Sequence, residues 1–156
     1  MNDTAVTRER TSSEHVRSET QLTELPIEAI RTYEYNPRSA RNAQYERIKM
    51  SIRFQGLDQP LVVTERPGEA GYLVQAGGNT RLDVLKELFE ETGDRRFASA
   101  PCIIRPWTGE ADVVAAHLRE NELRDGLSFF DRSRAVWQFR EFHFGDDRRV
   151  YSQRAL

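Results

Sequence analysis

The residues best suited to chemistry are the five from Gly77 to Arg81, which read Gly-Gly-Asn-Thr-Arg. The two glycines let the backbone turn sharply, with positive φ where the turn needs it. A helix start directly after such a turn offers open amides that attract anions, phosphate above all. Arg81, in the first helical turn, could add a bidentate phosphate contact. The alternative is an ordinary strand-to-helix connection with a solvated arginine, because short glycine turns have many uses.

Secondary-structure patterns on both sides indicate how this glycine turn is held. Residues 72–76 form a short β-prone run and residues 61–65 a β-branched run, so the Pro-Gly turn between them would join the two as a hairpin. After the glycines, leucines recur at helical spacing until Gly93 ends the pattern. Asn79 or Thr80 is placed to cap this helix.

Further elements are predicted before and after this unit. Residues 25–30 indicate a short strand and one helical turn, and residues 101–105 a strand with Cys102 buried in it. Helices are predicted over residues 44–55 and 109–124. The side chains expected to face the core from these two helices are Tyr45, Ile48, Met50, Ile52, Val113, Val114, Ala116, Leu118 and Leu123.

A last helix is predicted from Ser128 onward, with Asp131 as its capping-box partner. Its apolar residues are Phe130, Val136, Trp137, Phe139 and Phe142. This face is wide for a terminal helix, so we expect it to pack against a following domain or a second subunit. Residues 151–156 resemble the start of a further helix that is cut short.

Composition excludes several classes of protein. The 156 residues have a mean hydropathy of −0.71 and a net charge of −2, and the sequence contains neither a membrane-spanning apolar run nor a signal peptide. Cys102 is the single cysteine, so an intrachain disulfide is excluded and a cytoplasmic location is expected. The three histidines lie far apart, which excludes a zinc-type ligand spacing. His117, in the middle of a helix, is expected to be structural.

Three motifs follow one another in a fixed order. Residues 56–63 read Gly-Leu-Asp-Gln-Pro-Leu-Val-Val, residues 78–82 Gly-Asn-Thr-Arg-Leu, and residues 120–124 Glu-Asn-Glu-Leu-Arg. With Asn-Pro-Arg at 36–38, the chain from about residue 23 to 140 resembles the N-terminal domain of the ParB family. The glycine-turn sequence is most similar to that of ParB-like proteins of integrating conjugative elements. The resemblance implies an α+β fold of the ParB/sulfiredoxin type, a small mixed sheet with packed helices, followed by a helical extension.

The resemblance also implies a site for CTP, or another nucleoside triphosphate, together with Mg²⁺. The implied nucleotide-binding residues are Gln59, Pro60, Gly77, Gly78, Asn79, Thr80, Arg81, Asn121 and Arg124. Of these, Gln59 and Pro60 would form the base side. Glu120 and Asn121 would hold the metal, and Glu120 would be the catalytic residue of any hydrolysis. Arg38 would contact a phosphate of DNA or of the nucleotide.

This sequence departs from the family's Gly-Glu-Arg-Arg motif at two positions. Asn79 replaces the glutamate and Thr80 replaces the first arginine. One carboxylate and one cation are lost, so triphosphate affinity and CTPase activity are open expectations. Sulfiredoxin activity is not expected, because that enzyme's cysteine lies in the glycine turn whereas Cys102 lies elsewhere.

The first functional hypothesis is a nucleotide-gated DNA-binding protein that serves partition of a chromosome, plasmid or mobile element. The alternative is a ParB-like nuclease or nucleotide-dependent phosphotransferase using the same pocket, and a third hypothesis is an interaction domain that has lost its ligand. Expected partners are DNA, a second copy of the chain and a partition ATPase, at the nucleoid and without a membrane. The expected divisions are a disordered tail over residues 1–22, the nucleotide-binding domain over 23–127, and a helical segment over 128–156 that leads to a helix-turn-helix domain.

Overall fold

The computed structural model describes residues 22–38, 41–124 and 127–144, apart from the side chain of Arg124. Its elements in chain order are β1 (Leu22–Pro26), a 3-10 turn (Ile27–Ala29), β2 (Ile30–Arg31), α1 (Tyr45–Gln55), β3 (Leu61–Thr64), β4 (Tyr72–Val74), α2 (Asn79–Thr92), a 3-10 turn (Arg95–Phe97), β5 (Ser99–Arg105), α3 (Glu110–Arg124) and α4 (Phe129–Phe144). The strands form one sheet in the order β1-β5-β3-β4-β2. Pairs β1–β5 and β3–β4 are antiparallel, while β3–β5 and β2–β4 are parallel. The expected small mixed sheet with packed helices is confirmed.

One face of the sheet carries the larger core. The predicted hairpin is present, with Val63 opposite Val74 and Thr64 opposite Leu73. Because successive side chains of a strand point to opposite faces, the two valines enter the core beneath α1 and α2. Cys102 of β5 lies in this core, and burial raises the pKa of its thiol to about 11. That thiol is therefore inert at neutral pH, as the sequence indicated.

The opposite face of the sheet packs against α3 and α4. Its buried cluster consists of Tyr33, Leu73, Val113 and Val114, with Trp107, Phe139 and Phe142 packed on its edge. The glycine turn that follows β4 lies at the end of this sheet. Helices α2 and α3, on opposite faces, can therefore both reach that turn.

Helix ends were predicted well, and two inward side chains were predicted wrongly. Gly56 ends α1 with φ 81° and Gly93 ends α2 with φ 65°. Met50 is 51% exposed and Leu123 is 87% exposed, although both were expected in the core. At 100° per residue, Met50 lies nearly opposite Ile52 on α1. The same geometry places Leu123 opposite the buried Val114 on α3.

The aromatic face of α4 is divided between core and surface. Ser128 caps the helix as predicted, its Oγ accepting the N–H of Asp131 at 3.1 Å. Phe139 and Phe142 pack onto the domain, whereas five apolar side chains are more than half exposed: Phe129, Phe130, Val136, Trp137 and Phe144. That a following domain or a second subunit covers these five side chains stays a prediction.

The predicted tail and the predicted terminal helix lie almost wholly outside the described residues. The exception is Leu22, which the sequence assigned to the tail and which is the first residue of β1. Across the described ranges, no helix is long and apolar enough to cross a membrane.

Candidate functional site

A cleft opens where the glycine turn, the start of α2, the C-terminal end of α3 and the loop before α1 come together. The residues that line it are Asn36, Arg38, Asn42, Ile48, Gly77, Gly78, Asn79, Thr80, Arg81, His117, Glu120 and Asn121. The sequence had predicted eight of these twelve as site residues. Folding thus brings together motifs that are far apart in the chain, which a set of unrelated surface motifs would not do.

The glycine turn makes close contact with Glu120 possible. Gly77 has φ 52° and Gly78 has φ 116°, conformations that favour glycine. A Cβ atom on Gly77 would lie 2.6 Å from Oε1 and 2.7 Å from Cγ of Glu120. The carboxyl group of α3 therefore packs directly on the bare backbone of the turn, and any side chain at Gly77 would displace it.

Asn121 connects the end of α3 with the loop before α1. Its Nδ2 donates to the carbonyl of His117 at 2.8 Å, and its Oδ1 accepts from Nε of Arg38 at 3.4 Å. These two bonds place a guanidinium on the wall of the cleft, which the start of α2 also lines. Arg38 was expected at a phosphate site, and its position on the cleft wall fits that expectation.

Arg81 links the cleft to the segment before β3. One of its terminal nitrogens, NH1, donates to the carbonyl of Gln59 at 2.8 Å and lies 3.5 Å from that of Pro60. Neither Gln59 nor Pro60 lines the cleft itself. Gln59 instead lines an adjoining groove together with Ile48, Ser51, Ile52, Gly56, Leu57, Asp58 and Arg81. The side chain of Arg124 lies outside the described residues.

Asn79 does not cap α2, which corrects the sequence prediction. The N-cap residue is Gly78, without a side-chain capping bond, so Asn79 occupies the first helical position. Its side chain is only 7% exposed, and its Oδ1 accepts the backbone N–H of Tyr33 at 3.1 Å. Thr80 is half-buried and lines the cleft without capping the helix.

The comparisons with known proteins identify the family of the chain. The family model of the ParB N-terminal domain matches residues 11–122. The chain belongs to this family. A probable chromosome-partitioning protein ParB from Coxiella burnetii is 33% identical over 124 residues, which are 76% of this chain and 38% of that protein. The chain thus spans less than half the length of the curated relatives it matches.

Solved ParB structures share the fold. The C-terminally truncated chromosome-partitioning protein ParB from Caulobacter crescentus, complexed with CTP-γ-S, superposes with a TM-score of 0.54 at 23% identity, over 78% of this chain and 63% of that one. The same protein complexed to the centromeric parS site gives a TM-score of 0.53 at 21% identity, over 76% of this chain and 57% of that one. At these identities the likeness establishes the fold alone.

This ParB N-terminal domain also has buried aromatic residues behind the cleft that the sequence did not reveal. The ring of Tyr33 stacks on His117 with centroids 5.0 Å apart and an interplanar angle of 7°. The hydroxyl of Tyr33 donates to Oε2 of Glu110 at 2.9 Å, and burial first, then the charge of Glu110, raises the pKa of the phenol. Tyr33 therefore anchors the start of α3 to the segment that holds Asn79.

His117 is structural, as the sequence indicated. It is 1% exposed, and burial lowers its pKa to about 4. Its Nε2 lies 3.1 Å from the carbonyl oxygen of Val74, and since a carbonyl only accepts, that nitrogen carries the proton of the neutral ring. At neutral pH the back wall of the cleft thus holds no imidazolium charge.

The oxygen ligands at the end of α3 suit a metal that is only partly held by protein. Within the described ranges, no group of three or more His, Cys, Asp or Glu could hold a metal ion. Glu120 offers one carboxylate, and Asn121 offers an amide oxygen already bonded to Arg38. Mg²⁺ is commonly bound by one or two carboxylates together with phosphate oxygens of a substrate. The donor set therefore fits a Mg²⁺ ion that shares its ligands with a nucleotide.

Proposed function

We propose that this domain binds CTP with Mg²⁺ in the cleft, and that the nucleotide controls how the longer ParB-like protein holds DNA during partition. The observation that carries the proposal is the convergence of the glycine turn, Arg38 and the end of α3 in one cleft. Arg38 and Asn121 touch although 83 positions separate them. Such a convergence fits one ligand that contacts all three segments.

The triphosphate is assigned to the central cleft. The open amides at the start of α2 attract anions, and the helix dipole adds to that attraction. Arg38 and Arg81 bring two guanidinium groups to the same space, where they can bind phosphate oxygens in pairs. This concentration of positive charge is local, since the whole chain carries a net charge of −2.

The base is assigned to the adjoining groove. Ile48 and Leu57 offer an apolar surface there, and Gln59 an amide that can bond a base edge. Arg81 lines both the groove and the cleft, so one extended ligand could occupy both and contact Arg81 between them. We name CTP because the Caulobacter crescentus ParB of the same fold was solved with CTP-γ-S.

The metal is assigned to Glu120, with Asn121 beside it. A bound Mg²⁺ would neutralise part of the triphosphate charge. Glu120 would orient the ion toward the glycine turn, because its carboxyl packs on Gly77. The protein's own part in the metal site is thus one carboxylate that packs on the glycine turn, next to the phosphate-binding amides.

DNA recognition is assigned to parts of the relatives that this chain does not cover. The Caulobacter crescentus protein was also solved complexed to the centromeric parS site. We further propose that two copies associate through the exposed aromatic face of α4. We also propose that the full protein has a partition ATPase as a partner and that the full protein acts at the nucleoid.

Calorimetry with CTP, ATP and GTP, each with and without Mg²⁺, tests the nucleotide site. CTP with Mg²⁺ is expected to bind tightest, and Arg38→Ala to weaken it. Arg47→Ala is the matched control, since this arginine is exposed on α1 and does not line the cleft. Binding of no nucleotide at all would refute the proposal. Metal-dependent phosphate release that Glu120→Gln abolishes would instead favour the enzyme hypothesis.

Sedimentation tests the proposed self-association. Trp137→Glu places a charge on the exposed face of α4 and is expected to shift the chain toward monomer at high concentration. Phe54→Glu is the control, because Phe54 is a 73% exposed aromatic residue on α1. A wild-type chain that stays monomeric at every concentration would count against the α4 interface.

A further inference from the structure

We propose that the side-chain amide of Asn79 donates a hydrogen bond to a phosphate oxygen of the bound nucleotide. This inference rests on the nucleotide site proposed above and deepens it. The sequence placed Asn79 among the implied nucleotide-binding residues and noted the carboxylate that it replaces, but it assigned no atom of this side chain to the ligand. The structure gives this residue a neutral donor at the place where the phosphates are assigned.

The orientation of the amide follows from its neighbour. A backbone N–H can only donate, so the atom of Asn79 that meets the N–H of Tyr33 at 3.1 Å must be the oxygen. The amide nitrogen then faces away from Tyr33. That nitrogen, Nδ2, is buried and has no hydrogen-bond partner among the described residues. A buried donor without an acceptor is unfavourable, and such groups are rare in folded proteins.

The position of the amide points to an anion. Asn79 is the first residue of α2, a helix of 14 residues, and it lines both the cleft and a second groove shared with Arg38 and Asn42. The helix start favours negative charge at this point. An N–H donor binds acceptor oxygens and repels metal cations. The ligand atom beside Asn79 is therefore an ionised oxygen, and Mg²⁺ belongs on the Glu120 side.

The residue that holds the amide is itself fixed. Tyr33 is 2% exposed, its ring stacks on His117, and its hydroxyl bonds to Glu110. Its backbone N–H consequently has little freedom to turn away from Asn79. The amide is thus preorganised, which reduces the conformational entropy lost when a ligand binds.

Asn79→Asp is the decisive variant, because it keeps the oxygen that Tyr33 needs, replaces the donor by a second oxygen and adds one negative charge. CTP with Mg²⁺ is the probe, titrated by calorimetry. The variant is expected to bind about ten- to a hundredfold more weakly, as for the loss of a hydrogen bond to a charged group. The matched control is Asn42→Asp, which adds the same charge to the same cleft. Oδ1 of Asn42 accepts the N–H of Gln44 at 2.8 Å, and an aspartate can do likewise.

The outcomes separate this inference from the proposed function. If the wild-type chain binds none of the three nucleotides, both fail. If it binds CTP and the two aspartate variants lose affinity equally, the nucleotide site stands and the role of Asn79 is overturned. A selective loss in Asn79→Asp supports it.

A measurement on the wild-type chain does not depend on how the variant folds. The chain has five asparagines, so a ¹⁵N-asparagine-labelled sample gives a small set of side-chain amide signals. The Asn79 pair, assigned by triple-resonance spectra, is expected to shift on saturation with CTP and Mg²⁺. A pair that does not move at saturation would refute the contact.

Discussion

Replacing Gly77 by alanine tests whether the contact between the glycine turn and Glu120 builds the metal side of the site. The new methyl group would lie 2.6 Å from Oε1 and 2.7 Å from Cγ of Glu120, well inside van der Waals contact. The carboxyl group must move by roughly 1 Å to relieve this overlap. Mg²⁺ requires ligands at about 2.0–2.1 Å in nearly ideal geometry, so a shift of this size removes the carboxylate from the metal.

The expected loss of stability is moderate. Holding alanine at a left-handed φ of 52° costs about 1–2 kcal/mol. Filling a packed site can cost a further 1–3 kcal/mol or so, but Glu120 is half-buried and its carboxyl is the end of a flexible side chain. The backbone strain should therefore dominate, with a total of about 1–2 kcal/mol. Loss of one charged contact should weaken CTP binding in Mg²⁺ by about tenfold or more.

Gly93→Ala is the matched control for the backbone term. Gly93 has φ 65°, and nothing lies within 4 Å of a Cβ atom built on it. Both variants should melt at similarly lowered temperatures, while only Gly77→Ala should lose Mg²⁺-dependent affinity for CTP in calorimetry. If Gly77→Ala binds CTP as well as Gly93→Ala does, the carboxyl of Glu120 is not part of the site.

Two further predictions concern Arg81 and His117. Arg81→Ala is expected to weaken CTP binding about ten- to a hundredfold, and Arg81→Lys to recover only part of it, because lysine cannot bind two phosphate oxygens side by side. Loss of the hydrogen bond from Arg81 to the Gln59 carbonyl should also lower the unfolding free energy of Arg81→Ala by about 1 kcal/mol. Unchanged CTP affinity in Arg81→Ala would exclude a phosphate contact by this residue. The folded-state pKa of His117 is about 4, below the ordinary value of 6.5, so its contribution to the unfolding free energy is complete above pH 6.5 and falls by about 3 kcal/mol as the pH drops through 4. Denaturant titrations of His117→Gln should lack this part of the pH dependence. A variant with the same pH profile as the wild type would contradict a buried neutral imidazole at this position.

The elements that form the site were predictable because short-range patterns specify them. Gly56 and Gly93 each follow the last residue of a helix and take the positive φ that ends it. Along β3 and β4, the alternation of side chains determines which valines enter the core. The spacing of the motifs, rather than any single one, located the cleft. Arg38, Arg81 and Glu120 line the same cleft because the loop before α1, the start of α2 and the end of α3 come together there.

The residues behind the cleft were not predictable, because no local pattern encodes them. Tyr33 lies in an irregular segment, 46 positions from Asn79 and 77 from Glu110, and it bonds to both. The structural role of His117 was predicted correctly, but its stacking partner Tyr33 was not predicted. Long-range pairs of this kind depend on how the two faces of the sheet are packed, which periodicity within one helix cannot report.

Asn79 shows that a shift of one residue in a helix boundary changes which side-chain atoms are available to a ligand. The sequence placed asparagine at the helix start, where its usual role is to cap. Gly78 takes the cap position instead, because its φ of 116° is accessible to glycine and not to asparagine at low cost. Asn79 is thereby moved into the helix, its oxygen is used by Tyr33, and its nitrogen is left without a partner in the described part of the chain. Helix boundaries are uncertain by a residue or two when read from sequence, so the donor that the site offers could be identified only from the fold.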